Sequence, residues 1–153
     1  MLHFAYGSNM DRTAMARRCR DARALGTATL ENWRFVIVRE GYASIMPASG
    51  DVVHGVLWRL SARDLAALNA YEALDSGLYR RRMLPVRGSA GCVQALVYVA
   101  RGREPGCPAP GYQDVIVRAA RDWHLPGAYV RALERWSPGR LGAARRMETG
   151  EIA

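Results

Sequence analysis

Hydrophobic and polar residues alternate at the start of the chain and then change period within a few positions. Leu2, Phe4 and Tyr6 alternate with His3 and Ala5, which predicts a strand, and residues 10–19 follow with the pattern of a short basic helix or turn. Gly7-Ser8-Asn9 forms the junction. The pattern therefore predicts a strand, a sharp corner and a helix start, and such a corner can present backbone N–H groups to an anion.

The middle of the chain has the spacing of antiparallel strands. Short extended runs are separated by glycines, and the clearest of them is rich in β-branched and aromatic residues. A Gly-containing turn joins the last two runs as a hairpin. The predicted strands are residues 28–32, 34–39, 43–47, 51–60, 78–86 and 92–100.

A helix is predicted from about Ala62 to Leu74. Ser61 can cap its N-terminus, with the acidic Asp64 three residues later, and Leu60 can pack on Leu65 as a hydrophobic staple. Asp64 itself lies off the apolar stripe of this helix. The capping pattern fixes where the helix begins.

Two further helices are predicted near the end of the chain, at residues 112–124 and 126–136, the second with a proline at its start. Residues 138–153 contain Gly, Arg and few apolar side chains, which predicts a flexible tail. With 153 residues, 50% of them hydrophobic, the chain is expected to form one domain over residues 1–137 with one core.

Charge and cysteine content narrow the possible functions. The net charge is +8, but the basic residues are arginines scattered along the chain, so a nucleic-acid partner is not expected. We expect this positive charge only to attract small anionic substrates. Three separated cysteines and three separated histidines have neither disulfide-framework nor metal-ligand spacing, so no metal is predicted. No apolar run reaches the roughly 20 residues of a membrane span, and no signal segment is evident, so we expect a soluble, cytoplasmic protein.

Glu72 stands at an unexpected place on the predicted helix. It lies seven residues beyond Leu65, which puts it about 20° from that residue on the apolar stripe. Burial and the negative end of the helix dipole would both raise the pKa of its carboxyl toward neutrality, as a proton-transfer group requires. The alternative is a buried ion pair with one of Arg80–Arg82. Tyr71 and Tyr79 are ambiguous in the same way, because aromatic residues near helix ends commonly belong to the core.

Three stretches together resemble the gamma-glutamylcyclotransferase family. The first is Phe4–Met10, F-A-Y-G-S-N-M, the second is Asp51–Trp58, and the third is Leu68–Tyr79, which contains the pattern Glu-x-x-x-Ser-Gly-x-Tyr from Glu72 to Tyr79. Their order and spacing match as well as their residues. Later landmarks follow at Tyr98, at residues 110–112 and at residues 125–129, so the resemblance covers about residues 2–136.

The resemblance implies an α+β fold in a single domain, with a small mixed or antiparallel β-barrel flanked by helices and a cavity beside the first loop. It implies that the α-amine of a γ-glutamyl group attacks its own γ-carbonyl, releasing 5-oxoproline and an amino acid or amine. The expected partner is this small-molecule substrate, without a cofactor, and the protein would be a monomer or homodimer. By resemblance Glu72 is the general acid/base, and the substrate-binding residues are Tyr6, Gly7, Ser8, Asn9 and Tyr79.

Two other functions stay open. Ser8 could be a nucleophile, although its surroundings are not G-x-S-x-G and no histidine–acid pair is evident. The protein could also be a non-catalytic binding protein for acidic small ligands or nucleic acid. One departure from the family pattern, Ala73 in place of the usual glycine after the glutamate, puts the choice of substrate in doubt more than the chemistry.

Overall fold

Five strands form a closed barrel with α-helices around it in the computed structural model, which describes residues 1–72 and 76–139. The barrel order is β1-β3-β2-β4-β5, and the neighbours pair antiparallel except β1 and β5, which are parallel at His3 and Leu96. This mixed barrel confirms the fold class. The elements are β1 (Leu2–Ala5), α1 (Arg12–Arg18), β2 (Arg23–Ile37), β3 (Ala43–Arg59), α2 (Ala62–Tyr71), β4 (Tyr79–Gly88), β5 (Gly91–Ala100), α3 (Tyr112–Asp122) and α4 (Gly127–Glu134), with a 3-10 turn at Ser8–Met10.

The region between residues 23 and 59 differs from the prediction. Two long strands of 15 and 17 residues replace the four short runs expected at residues 28–60. Their pairing shifts between Ala24 and Gly26 and between Glu31 and Trp33, so bulges absorb the irregular residues instead of ending the strands. The prediction of separate strands was wrong because the pairing shift around Asn32 in β2 and Gly50 inside β3 both look like strand ends in the sequence.

Gly55 lets two strands approach closely. A Cβ atom at this position would lie 2.2 Å from the carbonyl oxygen of Ala5 and 2.8 Å from the Phe4 ring. Ala5 is the last residue of β1, and its pairing partner is Val56. The absence of a side chain at Gly55 therefore sets the position of the strand end from which the Gly7-Ser8-Asn9 corner begins.

The start of α2 follows the sequence expectation. Ser61 Oγ accepts a hydrogen bond from the Asp64 N–H, and the Asp64 carboxylate accepts one from the Ser61 N–H at 3.0 Å. Asp64 is buried although it lies off the apolar stripe, because its carboxylate also accepts the backbone N–H of Asp21. Helix α2 ends at Tyr71 with Glu72 as its C-cap, while residues 73–75, where the helix was expected to continue, lie outside the described residues.

The hairpin of β4 and β5 and the two last helices confirm the predicted elements within about two residues. Trp123, which caps α3, donates its indole N–H to the carbonyl of Met10 and so ties the helix end to the 3-10 turn. Most of the predicted tail, residues 140–153, lies outside the described residues. In the described part of the chain, no helix is long and apolar enough to cross a membrane.

Candidate active site

A cavity of about 270 Å³ opens beside the corner that follows β1. Its lining residues lie between His3 and Tyr112 along the chain, and they come from β1, β3, α2, β4, β5, α3 and the segments beside them. Its lining includes every site residue predicted from the sequence, namely Tyr6, Gly7, Ser8, Asn9, Glu72 and Tyr79. The structure therefore places the six residues around one space, and their roles stay predictions.

The corner is built from Gly7 and the 3-10 turn that follows it. The N–H of Met10 donates to the Gly7 carbonyl at 3.0 Å, which closes the turn. Gly7 has a negative φ of −115°, so its backbone conformation does not demand glycine. A Cβ atom there would lie 3.2 Å from the Cβ of Ala43 and 3.3 Å from the hydroxyl of Tyr112, which are tight contacts that a small shift of the neighbours would have to relieve. Glycine avoids both contacts.

Glu72 is half-buried at the C-terminal end of α2, and its Oε1 accepts a hydrogen bond of 2.8 Å from Asn9 Nδ2. Burial raises the pKa of its carboxyl to about 7, although the Asn9 hydrogen bond and the charge of Arg18 both act to lower it. The alternative partners, Arg80–Arg82, are exposed on β4, and among the described side chains none of the three is ion-paired with Glu72. The carboxyl can therefore exchange protons near neutral pH.

Tyrosine side chains supply much of the remaining lining. Burial raises the pKa of the Tyr112 phenol to about 12 and those of Tyr6, Tyr79 and Tyr98 further, so these phenols are neutral near pH 7. The Tyr6 and Tyr79 hydroxyls donate to the backbone carbonyls of Tyr98 and Ala43, respectively. These tyrosines hold the walls in place and are unsuited to take protons.

His3 is the histidine of the cavity lining, and it is buried. Its Nδ1 lies 3.0 Å from the Leu96 carbonyl, and burial lowers the pKa of the ring to about 4. Its Nε2 has no hydrogen-bond partner within the described structure. Ser8 Oγ instead accepts from Arg18 at 3.3 Å, and a guanidinium cannot take a proton. Among the described side chains, neither a histidine nor a carboxylate is hydrogen-bonded to Ser8, as an activated nucleophilic serine would require.

Arg18, which neighbours the cavity lining, was missed by sequence reasoning. Arg18 donates to Asn9 Oδ1, and its guanidinium lies over the Tyr71 ring, 3.7 Å from the centroid. Tyr71, expected to be ambiguous between core and site, is 49% exposed and lines the cavity. From the sequence, Arg18 is one of many arginines on a basic helix, so no pattern distinguishes it.

Residues 3–125 match the sequence model of the family described as gamma-glutamyl cyclotransferase, AIG2-like. The chain belongs to this family. It is 28% identical over 148 residues to gamma-glutamylcyclotransferase of Mus musculus, covering 90% of this chain and 79% of the relative, and 27% identical to the Homo sapiens protein of the same name with the same coverage.

A solved structure of a protein named gamma-glutamyl cyclotransferase superposes with a TM-score of 0.81 at 26% identity, covering 88% of this chain and 86% of that one. Family membership and this structural match confirm the prediction of a gamma-glutamylcyclotransferase-like enzyme. In the described residues, no group of three or more His, Cys, Asp or Glu side chains could hold a metal ion.

Proposed function

We propose that this enzyme converts a small γ-glutamyl conjugate to 5-oxoproline and a free amino acid or amine, with Glu72 as general acid/base. The observation that carries the proposal is the Glu72 carboxyl, which titrates near pH 7 and is held 2.8 Å from the Asn9 amide in a cavity bordered by the Tyr6–Asn9 corner. Family membership supports the same reaction class.

The reaction needs proton transfer more than a nucleophile from the protein. The substrate α-amine is largely protonated near pH 7, so Glu72 first removes a proton from it. The amine nitrogen then forms a bond to the γ-carbonyl carbon, giving a five-membered ring and a tetrahedral oxyanion. When the carbonyl re-forms, the bond to the leaving nitrogen breaks, and Glu72 gives its proton to that nitrogen. The ring nitrogen became cationic on attack, so it then loses its second proton to the ionised Glu72, which passes that proton to the departing amine or to water. Because the nucleophile is already part of the substrate, the enzyme mainly fixes the bent conformer.

The corner after β1 is proposed to supply hydrogen-bond donors, which the Glu72 carboxylate cannot provide. A substrate carboxylate and the developing oxyanion both need hydrogen-bond donors. We assign this role to backbone N–H groups of Gly7, Ser8 and Asn9, because these three residues line the cavity. Asn9 has a second role, since its Nδ2 holds the Glu72 carboxylate. We assign Tyr6, Gly7 and Ser8 to substrate binding and Tyr79 to the cavity wall.

Purified protein is expected to release 5-oxoproline from at least one member of a panel of γ-glutamyl amino acids and γ-glutamyl amines. The product is quantified by chromatography against the Glu72→Gln protein as a blank, which removes uncatalysed cyclisation from the signal. Absence of 5-oxoproline across the panel, together with salt-sensitive binding of nucleic acid, would instead support the non-catalytic binding alternative.

Activity is expected to fall in acid with a midpoint near pH 7. Glu72 must be ionised to accept the proton, and its pKa is raised to about 7, so kcat/KM should drop roughly tenfold for each pH unit below that value. Initial rates between pH 5 and 9, with circular dichroism to show that the protein stays folded, measure this limb. A midpoint near 4.5, the ordinary value of a glutamate, would contradict the assignment of Glu72.

A further inference from the structure

We infer that Arg18 is a positioning residue of this site, one that orients the Asn9 amide toward Glu72. Arg18 Nη1 lies 2.5 Å from Asn9 Oδ1, and Asn9 Nδ2 lies 2.8 Å from Glu72 Oε1. A guanidinium only donates hydrogen bonds and a carboxylate only accepts them, so the amide between them has one favourable orientation. The kinetic consequence rests on the proposed function, whereas the orientation does not.

A second attachment runs through Tyr71. Arg18 Nη2 donates to the Tyr71 hydroxyl at 2.6 Å, and the guanidinium stacks on the same ring. Tyr71 is the last residue of α2, and Glu72 follows it directly. Arg18 is in the last turn of α1. Its side chain therefore joins the end of α1 both to Asn9, which binds the Glu72 carboxylate, and to Tyr71 at the end of α2. Lysine has neither the planar fork nor the stacking surface needed for both contacts.

The charge of Arg18 also acts directly on Glu72. Near neutral pH five other lining groups are uncharged, because burial raises the phenol pKa values of Tyr6, Tyr79, Tyr98 and Tyr112 and lowers the pKa of His3. Of the charged side chains near the cavity, Glu40 raises the pKa of Tyr79 and Arg81 lowers the pKa of Tyr98. Arg18 is the charged side chain that lowers the pKa of the Glu72 carboxyl. The titratable and polar side chains that line the cavity from the other elements include His3, Tyr6, Asn9, Tyr42, Tyr79, Tyr98 and Tyr112.

The test compares Arg18→Gln with Arg18→Lys and uses Arg17→Gln as the matched control. Arg17 is the preceding residue of the same helix, exposed, and its replacement changes the net charge equally. At pH 7, Arg18→Gln is expected to lower kcat/KM about tenfold and to move the acidic limb to higher pH, since the carboxyl loses its compensating charge. Arg18→Lys should keep the limb near its original pH but lose part of kcat. Arg17→Gln should change neither.

A double-mutant cycle separates positioning from general weakening of the structure. If Arg18 acts through Asn9, Arg18→Gln should lower kcat/KM by a smaller factor in the Asn9→Ala background than in the wild type. Should Arg18→Gln fail to fold in a thermal scan, Arg18→Lys and Tyr71→Phe, which keeps the ring but removes the hydroxyl, give the same comparison. Additive effects throughout, or an Arg18→Gln pH profile equal to that of Arg17→Gln, would overturn the inference.

A direct titration keeps this inference distinct from the proposed reaction. The pKa of the Glu72 carboxyl can be followed by ¹³C NMR in the wild type, Arg18→Gln and Arg17→Gln without any substrate. We expect the midpoint to rise only in Arg18→Gln. If no γ-glutamyl conjugate is cyclised, the proposed function fails while this titration still decides the role of Arg18, and an unchanged midpoint rejects that role.

Discussion

Replacing Glu72 by glutamine is expected to lower kcat by about 10²- to 10⁴-fold, the usual contribution of general acid–base catalysis. Glutamine keeps the length of the side chain and an oxygen that can still accept from Asn9, but it cannot take a proton. Substrate affinity should therefore change much less than kcat. Single-turnover kinetics and a direct binding measurement on the variant separate the two effects.

Stability gives an independent readout of the same substitution. The carboxyl has a pKa of about 7 in the folded protein and about 4.5 as its ordinary value, so the folded state binds more protons between these pH values. The contribution of the Glu72 carboxyl to the free energy of unfolding of the wild type therefore falls as pH rises from about 4.5 to 7. Glutamine removes that loss, and the variant should be as stable as the wild type or more stable at pH 8 in urea unfolding.

Ser8→Ala serves as the control for the assignment of the base. The corner is proposed to act through its backbone, so loss of the hydroxyl should reduce turnover mildly. Near-normal turnover of Glu72→Gln would contradict the assignment of Glu72 as the base. If Ser8→Ala is inactive while Glu72→Gln is active, the nucleophilic-serine hypothesis is favoured instead.

The largest expected effect on stability is that of Gly55→Ala. The new methyl group would lie 2.2 Å from the Ala5 carbonyl oxygen, a backbone atom that cannot rotate away as a side chain could. Strand β1 must shift, and we expect the free energy of unfolding to fall by about 3 kcal/mol, the upper range for an overpacked core. For a chain of this size, that corresponds to a decrease in Tm of roughly 10 °C.

The substitution should also impair the site, because Ala5 directly precedes the corner at Tyr6–Asn9. Gly88→Ala is the matched control: this strand glycine would place its Cβ 3.6 Å from Leu57, an ordinary contact. Differential scanning calorimetry of both variants makes the comparison. Equal melting temperatures for the two would mean that β1 and β3 are not held as closely as the structure indicates.

Local features of this protein were predictable because neighbouring residues determine them. The strand, corner and helix at the N-terminus follow from a change of hydrophobic period, and the start of α2 follows from the Ser61–Asp64 capping pair. Glu72 was singled out because a carboxylate on an apolar stripe is costly to ionise. Each of these interpretations needs only a few adjacent positions, and the structure shows the corresponding elements.

The strand lengths between residues 23 and 59 and the surroundings of Glu72 depended on the tertiary structure. Bulges in β2 do not differ from strand ends in the sequence, since only pairing with β3 shows that the strand continues. Likewise, Asn9, 63 residues away, approaches Glu72 because closure of the barrel places the end of β1 beside the end of α2. Arg80–Arg82, the alternative partners suggested by the sequence, are exposed on β4. The sequence by itself determined which residue carries an unusual carboxyl, whereas the fold decided its partners, because contacts between distant segments depend on how the whole sheet closes.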